Sequence, residues 1–460
     1  MAYQSVNPYD GKVLKTFTDD SDEQVERALQ NAEQGFDTWR NMTFAQRANV
    51  LRNAVGILVA RNDEFARMVT LEMGKLINES RGEVRLSAEI IDYFAGNAQR
   101  FLAPEILASA AGEAVVKSPP LGMLFGIQPW NFPYYQLARF VAPSLMAGNV
   151  VLVKHASNVQ QCATAFADLF AEAGAPVGAY TNLRVTKEQI ARIIADPRVK
   201  GVALTGGEDA GTVVAAQAGK ELKKSTMELG GSDPFIVLED ADLDQAVKWA
   251  LWGRIHNAGQ SCVASKRFIV VEQLADRFLD RFKAALSSLK MGDPMEPGTT
   301  LAPLSSREAL DKLKKQVERA VAAGAHVEMG GKPVEGGGAF MQPTILTNIS
   351  RDNPAYNEEF FGPVALFFRV ADEDAAVKLA NDTKYGLGGS VFTQDIERGK
   401  RVADRIESGM VFINHPTWTA PELPFGGVKR SGYGRELSHI GIQEFVNKKL
   451  IRVVNTDAPP

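Results

Sequence analysis

After Ser21, apolar residues recur at Val25, Ala28, Leu29, Ala32 and Phe36, the three- and four-residue spacing of one helix face. Thr43 followed by Gln46 predicts a capping box for the next helix. The first hundred residues read as helical, with Arg47, Arg52, Arg61 and Arg67 on solvated faces. From Gly122 the pattern changes to short apolar runs, GMLFGIQ, NVVLVKHA, GVALTGG and DPFIVLED, separated by helical stretches at 161–173 and 187–195. Such alternation predicts parallel strands joined by crossover helices. A second series follows: RFIVVEQ, helices near 275–289 and 307–323, then TILTNI, PVALFFRV, GGSVFT and GMVFINH. It predicts a second α/β lobe on the same plan, the boundary near Gly230 and Gly231. Pro104 to Pro120 and Glu444 to Asn455 alternate apolar with polar without an adjacent helix and read as strands outside either lobe. EGGGAF at 335–340 reads as a surface loop.

Composition adds exclusions. With 460 residues, 45% apolar and 23% charged, the chain can bury a large core, and its 40 Gly and 22 Pro mark many turns rather than disorder. The 51 basic and 55 acidic side chains give a net charge of −4 without a basic stripe, which argues against a nucleic-acid partner. The longest apolar stretch, Val141 to Val153, contains Pro143 and Asn149 and falls short of the roughly 18 to 20 residues that span a bilayer. The start, MAYQSVNPYDGK, lacks a basic and then apolar leader, so the cytoplasm is expected and no membrane association. Two cysteines, Cys162 and Cys262, exclude a disulfide framework, and the five His show no metal-binding spacing. No metal is expected, and any thiol chemistry comes from one cysteine acting alone.

Four features could carry chemistry, and each has a plainer structural reading. Gly206 and Gly207 follow the strand GVALT, a turn that could lie under a pyrophosphate or be an ordinary tight turn. Cys262 lies in a loop of small and polar residues, His256-Asn257-Ala258-Gly259-Gln260-Ser261, reachable as a nucleophile must be, whereas Cys162 reads as a buried small hydrophobe on a helix. Glu228 ends a strand before two glycines, a solvated carboxylate or a base. Asn131, between Trp130 and Phe132 in QPWNFPYY, is a turn residue or an oxyanion-hole donor.

The ordered combination decides among these. PWNFP, a strand ending in Lys154, T-G-G, E-L-G-G, G-Q-S-C, E-E-F-F-G-P-V at 358–364 and P-F-G-G-V-K-R-S-G-Y-G-R-E at 424–436 resemble the aldehyde dehydrogenase superfamily over nearly the whole chain. The resemblance implies an α/β fold: a Rossmann-like cofactor-binding domain at 1–103 and 122–230, a catalytic domain at 231–440, and a small β oligomerisation extension from 104–121 and 441–460. A homodimer or homotetramer is implied. So is a small-molecule aldehyde substrate, with Cys262 as nucleophile, Asn131 as oxyanion donor and Glu228 as general base. For NAD or NADP, the resemblance gives Lys154 to the adenine ribose, Glu359 to the nicotinamide ribose with Phe361 beside it, Gly206 and Gly207 to the pyrophosphate turn and Trp130 to the nicotinamide wall.

Departures from the family pattern shape the expectation further. The common K-P-S-E is Lys154-His155-Ala156-Ser157 here, a hydroxyl replacing the carboxylate that would repel a 2′-phosphate, so NAD with tolerance of NADP is expected. Around Leu183 to Thr186 the family's Gly-rich loop is shortened. Arg139 matches an arginine that binds the remote carboxylate of semialdehydes, making succinate semialdehyde the expected substrate and succinate the product. The clamp's second arginine is His256, and its serine is replaced near Thr419 and Ala420. Ala264 stands where some members carry a second cysteine. Rival readings are another aldehyde, such as glutarate semialdehyde or an aliphatic one, a CoA-acylating enzyme, which normally lacks the base, and an inactive structural protein on the same fold.

Overall fold

The computed structural model describes residues 3–109 and 112–454. Ser21 caps helix Asp22–Asn41, its side chain accepting from the Gln24 N–H while Gln24 reaches back, and Thr43 and Gln46 do the same for Phe44–Ala60. Two readings of this region are corrected. Residues before Ser21 form an antiparallel hairpin, Tyr3–Val6 with Val13–Phe17, closed by a turn in which Gly11 N–H donates to Asn7 O, so the helical reading fails there. Arg47 is buried rather than solvated. Its guanidinium donates to the Met42 and Met146 carbonyls and stacks over Phe44 at 4.7 Å, satisfying chain ends that water does not reach.

The first sheet has six strands in the order Gly432–Tyr433, Lys224–Glu228, Val199–Thr205, Met123–Gln128, Val150–His155 and Tyr180–Leu183, all parallel except the first. From Met123–Gln128 the chain winds outward through Val150–His155 to Tyr180–Leu183, then crosses to the other side with Val199–Thr205. The crevice beyond the carboxyl ends of Met123–Gln128 and Val199–Thr205 is therefore the switch point where open α/β sheets take ligands. The second sheet runs His326–Met329, Thr344–Thr347, Val364–Val370, Ser265–Val271, Asp233–Val237, Ser390–Phe392 and Phe412–Ile413, parallel except for its first strand. Both sheets read as continuous Val, Ile, Leu and Phe because helices or chain cover both faces.

Two hydrophobic cores follow the two sheets. Residues 229–232 carry the chain from one sheet to the other. It later returns: Leu437, Ile442, Phe445 and Val446 bury in the first core, across the boundary expected at 440. Glu105–Leu107, Glu113–Lys117 and Lys449–Val453 form a separate three-stranded antiparallel sheet with Ile106 81%, Leu450 58% and Val453 59% exposed. Residues 110, 111 and 455–460 of the expected extension lie outside the described residues. No helix among the described residues is long and apolar enough to cross a membrane.

Candidate active site

The loop before Cys262 is held from several sides. Helix Leu243–Ile255 ends at buried Arg254, which donates to Gly259 O (2.7 Å) and Val364 O (3.2 Å). Asn257, Ala258 and Gly259 then have φ of 54, 53 and 75°, a left-handed turn that costs a residue with a Cβ about 1 to 2 kcal/mol. Gly259 is required there, since a Cβ would lie 2.5 Å from Gly362 O. Asn257 Nδ2 donates to Asn131 O (2.8 Å) and Gln260 O (3.0 Å), and Asn131 Nδ2 also donates to Gln260 O (3.1 Å). Asn131 is thus brought to the loop that carries Cys262, with one of its two amide hydrogens engaged.

Cys262 is partly buried. Burial pushes its thiol up to about 11, with Arg139 and Lys266 pulling it down and Glu359 and Asp233 opposing them. Glu228 ends its strand beside Thr205, and its carbonyl accepts the Gly206 N–H at 3.0 Å. Both carboxylate oxygens of Glu228 are buried and have no hydrogen-bond partner among the described residues. Burial and then neighbouring Glu436 push its carboxyl well above the usual carboxylate range, so it holds its proton more tightly, against Arg139 and Arg435. A buried carboxyl whose proton affinity is raised by its surroundings suits a base.

Arg139 requires a correction. It lies on helix Pro133–Ala147, whose first turn donates to Glu83 Oε1 from Tyr134 N (2.8 Å) and Tyr135 N (3.2 Å). Expected to meet a substrate carboxylate, Arg139 has no exposed surface and pairs instead with buried Glu436. It also donates to Tyr135 Oη (3.0 Å) and Thr205 Oγ1 (3.3 Å) and stacks over Phe425 at 4.2 Å. Tyr135 Oη in turn donates to Thr419 Oγ1 at 3.0 Å. The other half of the expected clamp, His256, faces Glu79 through Nδ1 (3.1 Å), stacked against Trp252 and Phe132 with Trp418 edge-on. Both expected substrate groups therefore carry internal acidic partners. Arg139→Ala should cost about 3 to 5 kcal/mol of stability, because it strands a buried carboxylate, and should depress turnover of charged and uncharged aldehydes alike. Melting temperatures and a comparison of succinate semialdehyde with butanal check this; a loss confined to the charged substrate would restore the direct role.

On the cofactor side, Trp130 follows Met123–Gln128 and meets Phe361 edge to face at 5.7 Å, so the expected wall and its neighbour come together across the two lobes. Glu359 Oε1 accepts from Gly231 N (3.1 Å) and Lys266 Nζ (2.9 Å). Lys154 lies half-buried in Val150–His155, and burial lowers its proton affinity. Among the described residues no carboxylate pairs with it; its ammonium lies over the Tyr3 ring, 5.7 Å from the centre. Ser157 is exposed in the turn beyond that strand. Gly207 caps helix Glu208–Lys220, whose Glu208 pairs with Lys384 (2.8 Å) and Arg430 (2.6 Å), so this helix start already holds an anion. Cys262 and Glu359 precede strands of the second sheet and Trp130 and Gly206 follow strands of the first, so the site lies where the carboxyl edge of one sheet faces the amino edge of the other. A half-buried cation without a carboxylate partner among the described residues, an aromatic wall and a carboxylate with Oε1 anchored make a fit for a phosphorylated dinucleotide.

The sequence reading missed Glu436, Asn257, Glu79 and Lys266. Glu436 was in plain view as the last residue of the 424–436 motif; the others carry no local signal.

The family model described as "Aldehyde dehydrogenase family" matches residues 1–451. Over 458 residues the chain is 49% identical to the succinate-semialdehyde dehydrogenase (NADP(+)) of Deinococcus radiodurans, covering 100% of this chain and 96% of the relative. Over 455 residues it is 47% identical to the protein of that name from Mycobacterium avium, covering 98% and 96%. A crystal structure of succinic semialdehyde dehydrogenase from Streptococcus pyogenes in complex with NADP+ superimposes with a TM-score of 0.97 at 44% identity, covering 99% of this chain and 100% of that one.

Proposed function

The chain belongs to the aldehyde dehydrogenase family, and we propose that within it the protein oxidises succinate semialdehyde to succinate with NADP, accepting NAD as an alternative. The likeness that carries this reading is the 49% identity over the full chain to an enzyme of that name. Placing NADP first reverses the order the sequence suggested and rests on Lys154, a half-buried cation with no carboxylate partner among the described residues, beside neutral Ser157.

In this reading Cys262 Sγ adds to the aldehyde carbon to form a thiohemiacetal. The oxygen of that adduct takes hydrogen bonds from the Cys262 N–H and the second amide hydrogen of Asn131. NADP, when bound, would supply the hydride acceptor for this carbon, and Cys262 would be left holding the thioester. Glu228, ionised, takes a proton from the water that cleaves the thioester, which releases the acid and returns the thiol. Trp130, Phe361 and Glu359 hold the nicotinamide end, and Lys154 and Ser157 the adenylate end. The base separates this reading from an acylating enzyme that passes the thioester to CoA, and the presence of Cys262, Glu228 and Asn131 in one chain separates it from an inactive protein on the same fold.

The deciding experiment is a panel of aldehydes varied in length and charge, assayed with both cofactors. Highest kcat/KM for succinate semialdehyde is expected; equal rates with uncharged aldehydes of the same length would overturn the substrate. Ser157→Glu should lower kcat/KM with NADP by about 10²-fold while sparing NAD, since a like charge at a phosphate costs several kcal/mol. Equal loss with both cofactors would place this side chain away from the 2′ position. Two or four copies would join through the exposed three-stranded sheet, in the cytoplasm, which light scattering on the purified protein tests.

A further inference from the structure

Lys266 lies in strand Ser265–Val271, one residue from the strand's start, and its side chain has no exposed surface. An ammonium carries three hydrogens, and here three acceptors meet them: Ser261 O (2.9 Å), Cys262 O (2.8 Å) and Glu359 Oε1 (2.9 Å). The same nitrogen lies 5.8 Å from the centre of the Phe361 ring. Arg267, the next residue, turns to the other face and donates to Ser232, Leu379 and Ala380 carbonyls, so it shares none of these contacts. One buried cation thus touches the nucleophile's own peptide and two residues of the nicotinamide end, although the chemistry above gives it no part.

We propose that Lys266 is a positioning residue that couples the two: it holds the Cys262 carbonyl and the Glu359 carboxylate at once, so the reactivity of the thiol is set from the cofactor site. This rests on the reading that Glu359 grips the nicotinamide ribose. The physical basis is charge. Lys266 favours the thiolate, and Glu359, by neutralising Lys266 and by its own charge, disfavours it. Oε1 of Glu359 is taken by Lys266 and Gly231. Ribose hydroxyls donating to this carboxylate spread its charge, loosen its hold on Lys266 and leave more of the ammonium's field to the sulfur. Cofactor binding then sharpens the nucleophile. Among the described residues, Arg139 and Tyr135 from helix Pro133–Ala147 and Asp233 from Asp233–Val237 also face Cys262, and none of these three hydrogen-bonds Glu359, which buried Arg254 faces from helix Leu243–Ile255.

The test is the rate of Cys262 alkylation by iodoacetamide as a function of pH, read by mass spectrometry, with and without NADP+. In the native enzyme NADP+ should move the alkylation midpoint to lower pH. Lys266→Met should raise the apo midpoint by about one pH unit or more and abolish the response to NADP+, while Lys266→Arg retains part of both. Glu359→Gln should lower the apo midpoint, the opposite sign, whereas a merely structural role would slow both variants without moving either midpoint. Unchanged midpoints in Lys266→Met and Glu359→Gln would overturn the proposal, and Glu359→Gln alone decides if Lys266→Met does not fold. NADP+ affinity is measured separately by calorimetry: undiminished binding to Glu359→Gln would defeat the ribose assignment, while the apo midpoints still judge Lys266.

Discussion

Cys262→Ala is expected to lose aldehyde oxidation altogether, by at least about 10⁴-fold, the scale on which removal of a covalent nucleophile acts. No other group can take its place. Cys162, the second of the chain's two cysteines, is fully buried at the start of helix Gln160–Glu172, where its N–H donates to Glu72 Oε2 at 2.9 Å and burial pushes its thiol far up. The variant should still bind NADP, because the cofactor residues belong to other loops. Formation of reduced nicotinamide, followed by absorbance, is the measurement, and turnover at even one per cent of the native rate would remove Cys262 from its role.

Glu228→Gln should separate the two halves of the reaction. Acylation needs the thiol and the oxyanion donors, so one equivalent of reduced cofactor should appear in a burst, after which steady turnover falls by about 10²- to 10⁴-fold for want of the base. Full steady-state activity would show that water is activated elsewhere. The same variant has a stability signature. The Glu228 carboxyl is raised in the fold, chiefly by burial and next by Glu436. A raised carboxyl lends stability that is complete below its unfolded value and is lost as pH climbs through its folded value. Glutamine has no such loss, so its melting temperature should gain on the native protein as pH rises above the ordinary carboxylate range, and the gap should close on acidification. A gap independent of pH would contradict the burial argument.

What was legible in the sequence is what local chemistry dictates. Ser21 with Gln24 and Thr43 with Gln46 cap their helices because the partners lie three residues apart. The parallel strands announced themselves as apolar runs, since both of their faces are covered. Cys262, Glu228 and Asn131 stood out through an ordered set of motifs, and the fold places Asn131 against the loop before Cys262. What was not legible depends on partners distant in the chain. Arg47 looked like a surface charge until the Met146 carbonyl, from the helix ending at Ala147, and the Met42 carbonyl closed over it. Arg139 and His256 looked available until Glu436 and Glu79 arrived beside them. Nothing next to Lys266 in the sequence foretells that its three acceptors come from a loop and from a carboxylate of another segment.

The return of the chain to the first core has a consequence for how the protein is made. On the ribosome, residues 233–406, which supply the whole second core, emerge and can close while the first lobe still lacks the strand Gly432–Tyr433 and the side chains of Leu437, Ile442, Phe445 and Val446. Although synthesised first, that lobe is completed last, and until release it presents an unpaired strand edge at Lys224–Glu228 and an open apolar seam. Nascent chains stalled before residue 432 should accordingly be sensitive to protease in their amino-terminal half and resistant in the segment that follows.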